Sequence, residues 1–164
     1  EKLADIIYEY GEERFSRRIA RKIVEQRKIK EIETTEELVK IIESVVPRKN
    51  NEGHPAKRTF QAIRIEVNDE LKVLEKVLPD AIDLLSIGGR ITVITFHSHE
   101  DRIVKKVFKK YSEVDQIFKG MPDVPEMYKP KIKLINKKPL LPSEKELNEN
   151  SRSRSAKLRI IERI

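Results

Sequence analysis

The sequence predicts an α/β fold in which a helical subdomain precedes a small sheet, and three features carry that expectation. Apolar residues recur at helical spacing through the first half of the chain, as in Phe15, Ile19 and Ile23. The period changes after Gly88-Gly89, where "RITVITF" is a β-branched run bounded by breakers, as expected of a strand buried on both faces of a sheet. Beyond it, helical, strand, helical and strand patterns follow one another, an order that suits a sheet carrying a helical subdomain. The boundary is expected between 1–67, the helical part, and 68–164, the α/β part.

The first helix is expected within "GEERFSRRIARKIVEQRKIK", residues 11–30, with Ala20 and Val24 beside the apolar stripe. Arg14, Arg17, Arg18 and Arg21 line its other side. "TTEELVKIIESVVP" predicts a second helix, capped by Thr34 or Thr35, acidic in its first turn and stopped by Pro47. "RKNNEGHPAKR" is a basic loop rich in breakers. Pro55 then suits the first turn of a third helix running to Leu85, with Phe60, Ile63, Val67, Leu71 and Leu74 facing a core and a break near Pro79. After the strand, "EDRIVKKVFKKYSEV" returns to helical spacing through Ile103, Val107 and Tyr111. A Pro-bearing loop over 116–130, a short strand in "KIKLINKKPLL", a short helix in "PSEKELNEN" and a closing strand in "AKLRIIERI" complete the chain.

The chain has 164 residues, 38% hydrophobic and 38% charged, with no cysteine. That is enough length for a buried core, and the cysteine count excludes disulfides and thiolate sites and is compatible with a reducing cytosol. No window approaches the roughly 18 unbroken apolar residues of a spanning helix. The opening "EKLADIIYEY" lacks the basic and apolar regions of a signal peptide, and the missing initiator Met points to a trimmed or partial chain. The excess of 35 Lys and Arg over 28 Asp and Glu gives +7, which fits a polyanionic partner or the Lys/Glu-rich surface of a heat-adapted protein.

In "GGRITVITFHSHEDR" two of the three histidines follow the strand directly. Ligands of open α/β sheets sit beyond the carboxyl ends of the strands, so Phe96, His97 and Ser98 occupy a favoured position for a site. A metal there would need His97, His99 and Asp101 to converge with further ligands. Only His54 remains as a nitrogen donor and Arg102 follows directly, so no metal is expected. Ser98 is expected to cap the next helix, with Glu100 and Asp101 favoured in its first turn.

Four stretches carry a resemblance: "GEERFSRRIARKIVE", "HPAKRTFQAIRIEVNDEL", "GGRITVITFHSHEDRIVK" and "SRSRSAKLRIIER". In this order they resemble the later motifs of the bacterial ribosomal RNA small subunit methyltransferase H family, also called MraW. The resemblance implies a partial Rossmann-like (class I) methyltransferase sheet with a helical subdomain. It also implies S-adenosylmethionine as cofactor, N4 of a decoding-centre cytidine in 16S rRNA as target, the small ribosomal subunit as partner and a cytoplasmic location. The family's usual "FHSLEDR" has Leu where this chain has His99, and its "NPRARSAKLR" loses a proline in "NSRSRSAKLR". The family's front half, with its Gly-rich turn, has no counterpart: the five glycines, Gly11, Gly53, Gly88, Gly89 and Gly120, form no such motif. No cofactor-binding residue is therefore assigned, and this chain alone is expected to bind cofactor weakly and to be inactive.

Methylating a cytosine amine asks for positioning, water exclusion, base extrusion and a group to accept a proton. His97, with Ser98 beside it, is the candidate for contacting the base. Lys57, Arg58 and Arg64 on the third helix, the four arginines near residue 18, and Arg152 and Arg154 before the last strand are candidate RNA contacts. An RNA-binding module without a cofactor site is the alternative. Unpaired strand edges would also allow two copies to form a homodimer.

Overall fold

The computed structural model describes residues 1–47, 53–114, 116–118 and 120–164. Part of the expected basic loop, 48–52, lies outside the described residues, as does position 119 of the loop over 116–130. The chain divides into two compact units, Glu1–Glu70 and Leu71–Ile164.

The first unit is helical: α1 spans Lys2–Gly11, α2 Ser16–Arg27, α3 Thr35–Glu43 and α4 Lys57–Asn68. Its core gathers Ile7, Ile19, Ile23, Ile41 and Ile42, each worth about 1.5–3 kcal/mol when removed from water. Thr34 caps α3 and Glu37 closes a capping box by accepting from the Thr34 N–H. Helix α1 was not expected, although Ala4, Ile7 and Gly11 are its buried face at the same helical spacing. It packs against α4, and the approach requires glycine: a Cβ on Gly11 would lie 2.7 Å from the Arg58 carbonyl oxygen. Gln61 Nε2 donates to the Tyr10 carbonyl oxygen at 3.2 Å across the same seam.

Of the expected core face of the third helix, Phe60 and Leu74 are half-buried against a core, and the seam corrects the rest. Thr59, Ala62 and Ile65 are buried, whereas Val67 is 75% exposed. Small side chains face α1 because the backbones lie so close. The expected single helix to Leu85 is instead two, and the break falls at Asp69 rather than Pro79. Asp69 takes the left-handed conformation, φ 51°, which a short polar side chain tolerates. Helix α5, Glu70–Leu84, then runs through Pro79.

The second unit holds β1 (Arg90–Thr95), α6 (Ser98–Ser112), β2 (Ile132–Leu134), α7 (Glu144–Glu149) and β3 (Lys157–Arg163). The sheet order is β1-β3-β2, and β3 pairs antiparallel to both neighbours, with Ile91 opposite Ile161 and Ile132 opposite Arg163. Gly88, at φ 79°, turns the chain into β1 and donates its N–H to the Arg163 carbonyl oxygen. On one face Ile91, Val93 and Ile161 pack with Leu78 and Ile82 of α5 and Val104, Val107 and Phe108 of α6. The opposite face is open, with Ile94 58% and Phe96 54% exposed. The expected burial of β1 on both faces is therefore corrected: among the described residues of this unit, the core cluster on the sheet lies on one side. The β-branched composition came from strand preference and this one-sided core together.

Candidate functional site at the end of the first strand

The strand end is built by a helix cap. After Thr95, buried at 2% exposure, the chain leaves the sheet and enters α6 within a few residues. The capping residue is His97 and not, as expected, Ser98, which becomes the first residue of the helix. His97 has extended backbone, and its Nδ1 accepts from the Glu100 N–H at 3.4 Å. Glu100 replies by accepting from the N–H groups of Phe96, at 2.8 Å, and His97, at 3.2 Å. The arrangement is a capping box with imidazole in the place of the usual hydroxyl. Sequence reading chose the serine because hydroxyls dominate cap statistics; a cap decided by backbone direction has no local signal of that kind.

Capping constrains what His97 can do. With Nδ1 accepting a backbone proton, the neutral ring carries its own proton on Nε2. That nitrogen is buried, has no hydrogen-bond partner among the described residues, and lies 3.3 Å from Glu100 Oε1 in poor hydrogen-bond geometry. Burial pushes the Glu100 carboxyl up, but the His97 ring and the Phe96 N–H outweigh it and hold the group below its ordinary range. Glu100 stays ionised and favours the protonated Nε2. His99 sets its ring edge-on to that of His97, centroids 6.0 Å apart. Ser98 and Phe96 are exposed beside the cap.

One turn inward, Asp101 joins α6 to β3. Arg159 donates from Nε to Oδ1 at 2.7 Å and from Nη2 to Oδ2 at 3.1 Å, and Lys157 Nζ lies 3.6 Å from Oδ2. The Arg159 side chain is only 9% exposed and that of Asp101 14%. The Arg159 hydrogen bonds hold the Asp101 carboxyl below its ordinary range against the opposing effect of burial, with the Arg159 and Lys157 charges adding to them. Sequence reading missed this pair, which lies 58 residues apart in the chain. Its one trace is a charged residue in an apolar strand, Leu158-Arg159-Ile160-Ile161. Among the described residues no group of three or more His, Asp or Glu side chains is arranged to hold a metal ion. His54 belongs to the other unit, where its Nδ1 accepts from the Ala56 N–H.

The expected basic residues are dispersed over both units. Arg14, Arg17, Arg18 and Arg21 are exposed on and before α2, and Arg14 and Arg18 stand over the Phe15 ring at 5.1 and 5.6 Å. On α4, Lys57 and Arg58 are exposed, Arg58 donating to the Glu12 carbonyl oxygen at 3.4 Å. Arg64 is exposed too, but Glu70 engages it twice, at 2.8 and 3.0 Å, so its charge is compensated. Arg152 and Arg154 project from the 3-10 turn Ser151–Ser155, whose buried member is Ser153.

The family model described as the MraW methylase family matches residues 1–164. The chain belongs to that family. It is 58% identical over 164 residues to the ribosomal RNA small subunit methyltransferase H of Lactobacillus johnsonii, covering 99% of this chain and 52% of the relative. The same-named proteins of Lactobacillus delbrueckii subsp. bulgaricus and Lactobacillus acidophilus are 60% and 57% identical, with the same coverage of 99% and 52%. The chain thus spans about half the length of the curated relatives it matches.

A dinucleotide or S-adenosyl group is received where a strand turns through glycines into a helix N-terminus. The β1–α6 junction is such a turn in topology. However, it contains no glycine, and the Glu100 carboxylate already accepts from the Phe96 and His97 N–H groups. The chain is mixed α/β, and the family it belongs to is described as one of methylases. Among the described residues no helix is long and apolar enough to cross a membrane.

Proposed function

We propose that this chain is the portion of an S-adenosylmethionine-dependent rRNA methyltransferase that presents the target base and grips the RNA, with N4 of a decoding-centre cytidine in 16S rRNA as acceptor. The match of the whole chain to a methylase family, with relatives named for small-subunit rRNA, is the observation that supports this reading. Cofactor contacts come from sequence that the relatives carry beyond the matched half, and this chain alone is inactive. The reading as an RNA-binding module without a cofactor site has less support, because the matched family is one of methylases.

In this reading His97 acts by position. Its cap fixes where α6 begins and so where Phe96 and Ser98 stand beyond the strand, and the exposed Ser98 is the group offered to the base while the His97 ring, its Nε2 buried, sets its position. The exposed arginines of α2, with Lys57, Arg58, Arg152 and Arg154, supply phosphate contacts. Arg64 adds less, since Glu70 neutralises it. The open edge of β1 is the surface on which a homodimer would form.

The test is methyl transfer from S-adenosylmethionine to isolated small subunits by the full-length protein, with the product mapped by mass spectrometry. Label on a cytidine amine supports the proposal; no label in 16S rRNA, or label on a ring carbon, refutes it. For the RNA contacts, Arg17→Glu with Arg21→Glu should weaken binding to all RNA sequences alike and flatten its salt dependence.

A further inference from the structure

The second unit carries a groove of about 530 Å3 that lies between the last turns of α6 and the segment entering β2. Its cationic wall is Lys106, Lys109, Lys110, Lys129 and Lys131, and Glu113 is the carboxylate among its described lining residues. Its floor is aromatic. Lys110 Nζ and Lys131 Nζ stand over the Tyr111 ring, 5.9 Å and 5.7 Å from its centroid, and that ring is half-buried against the core of the unit. Tyr128, 39% exposed, tilts against Phe118 with centroids 4.4 Å apart. The Lys131 N–H donates to the Tyr111 carbonyl oxygen at 2.9 Å, which ties the two walls together.

Three of the lysines have acidic neighbours: Glu113 for Lys109 at 3.9 Å, Glu126 for Lys129 at 2.6 Å and Asp83 for Lys131 at 2.6 Å. These pairs are exposed and weakened by solvent screening, so a phosphate can displace the carboxylates. Lys106 and Lys110 have no carboxylate partner among the described residues.

We infer that this groove binds single-stranded RNA, its lysines tracking two or three phosphates while the exposed Tyr128 ring offers a face to a base. The inference rests on the reading of the chain as acting on RNA and adds a contact surface to it. Charge complementarity selects a polyanion, and the aromatic face selects one with unstacked bases. A duplex keeps its bases stacked inside and leaves such a face unused, whereas stacking on aromatic side chains is the sequence-tolerant part of single-strand binding. An acidic peptide would satisfy the lysines and leave Tyr128 idle.

The experiment is fluorescence anisotropy of the 164-residue chain with a labelled single-stranded RNA of about ten nucleotides, the duplex of the same sequence, and poly-glutamate as competitor. Tyr128→Ala, whose ring is exposed, should weaken single-strand binding about tenfold, within the range measured for loss of a stacking platform. Tyr128→Phe should retain affinity, which separates ring stacking from a role of the hydroxyl. Lys106→Gln with Lys110→Gln should lower the slope of log affinity against log salt by about 1.4, two contacts at about 0.7 each. Unchanged binding in these variants, while Arg17→Glu with Arg21→Glu abolishes it, overturns the groove and leaves the RNA reading standing. Equal affinity for duplex and single strand, or full competition by poly-glutamate at matched charge, also overturns it. The methyl-transfer assay on small subunits tests the RNA reading separately.

Discussion

Replacing Asp101 by Ala should destabilise the second unit, and the geometry sets the size of the loss. The carboxylate accepts two bonds from an Arg159 side chain that is 9% exposed, so the substitution leaves a guanidinium buried without a partner. Breaking a buried pair from one side costs about 3–5 kcal/mol. Here the loss should fall at the lower end, about 3 kcal/mol, because Lys157 is 39% exposed and recovers water when released. At a denaturant slope of about 2 kcal/mol per molar, the urea midpoint should drop by about 1.5 M. Asp101→Ala with Arg159→Met should recover most of it, because the charge is then removed from both sides. The Asp101 carboxyl is held below its ordinary range, so its contribution is complete above the unfolded value of about 3.9 and disappears as pH falls through the depressed folded value. Asp101→Asn should accordingly flatten the acid limb of stability. The assay is urea unfolding of the chain between pH 7 and pH 2, with β3 amide exchange as a local probe. A midpoint shift below about 0.3 M, or a double variant as unstable as the sum of the singles, refutes the argument.

Three further outcomes follow from particular contacts. His97→Asn should keep the α6 cap, while His97→Ala should lose about 1 kcal/mol; in the full-length protein at matched stability, His97→Ala should slow methyl transfer about 10²-fold, as expected when the groups it positions shift by about 1 Å. His99→Leu should cost little activity, and a loss as large as that of His97→Ala would contradict the assignment. Gly11→Ala should destabilise the first unit by about 1–3 kcal/mol through the Arg58 carbonyl contact, measured by thermal unfolding. The Glu37 carboxyl, lowered to about 2 by Lys30 and by the N–H groups of Glu33 and Thr34, should show that value in an NMR titration. Its support of α3 is thus present above the ordinary value near 4.5 and is lost as pH falls toward 2, and a titration near 4.5 would show the capping box to be open in solution.

What the sequence by itself determined is local or linear. The α3 cap at Thr34, the strand after Gly88-Gly89, the helix through Val107 and the closing strand were legible because each depends on neighbours a few residues away. The family was legible for a related reason: four spaced motifs survive as strings whatever the chain does in space. Tertiary structure decided the rest. The face that α4 buries followed from a backbone approach to Gly11, which moved the core from Val67 to Ala62. The capping role of His97 followed from the direction in which β1 delivers the chain to α6. Asp101 and Arg159, and the lysine–tyrosine groove, join residues that no periodicity relates. Periodicity reports which side of an element is apolar; which charged groups meet, and which apolar face is covered, depends on the partners that folding brings against it.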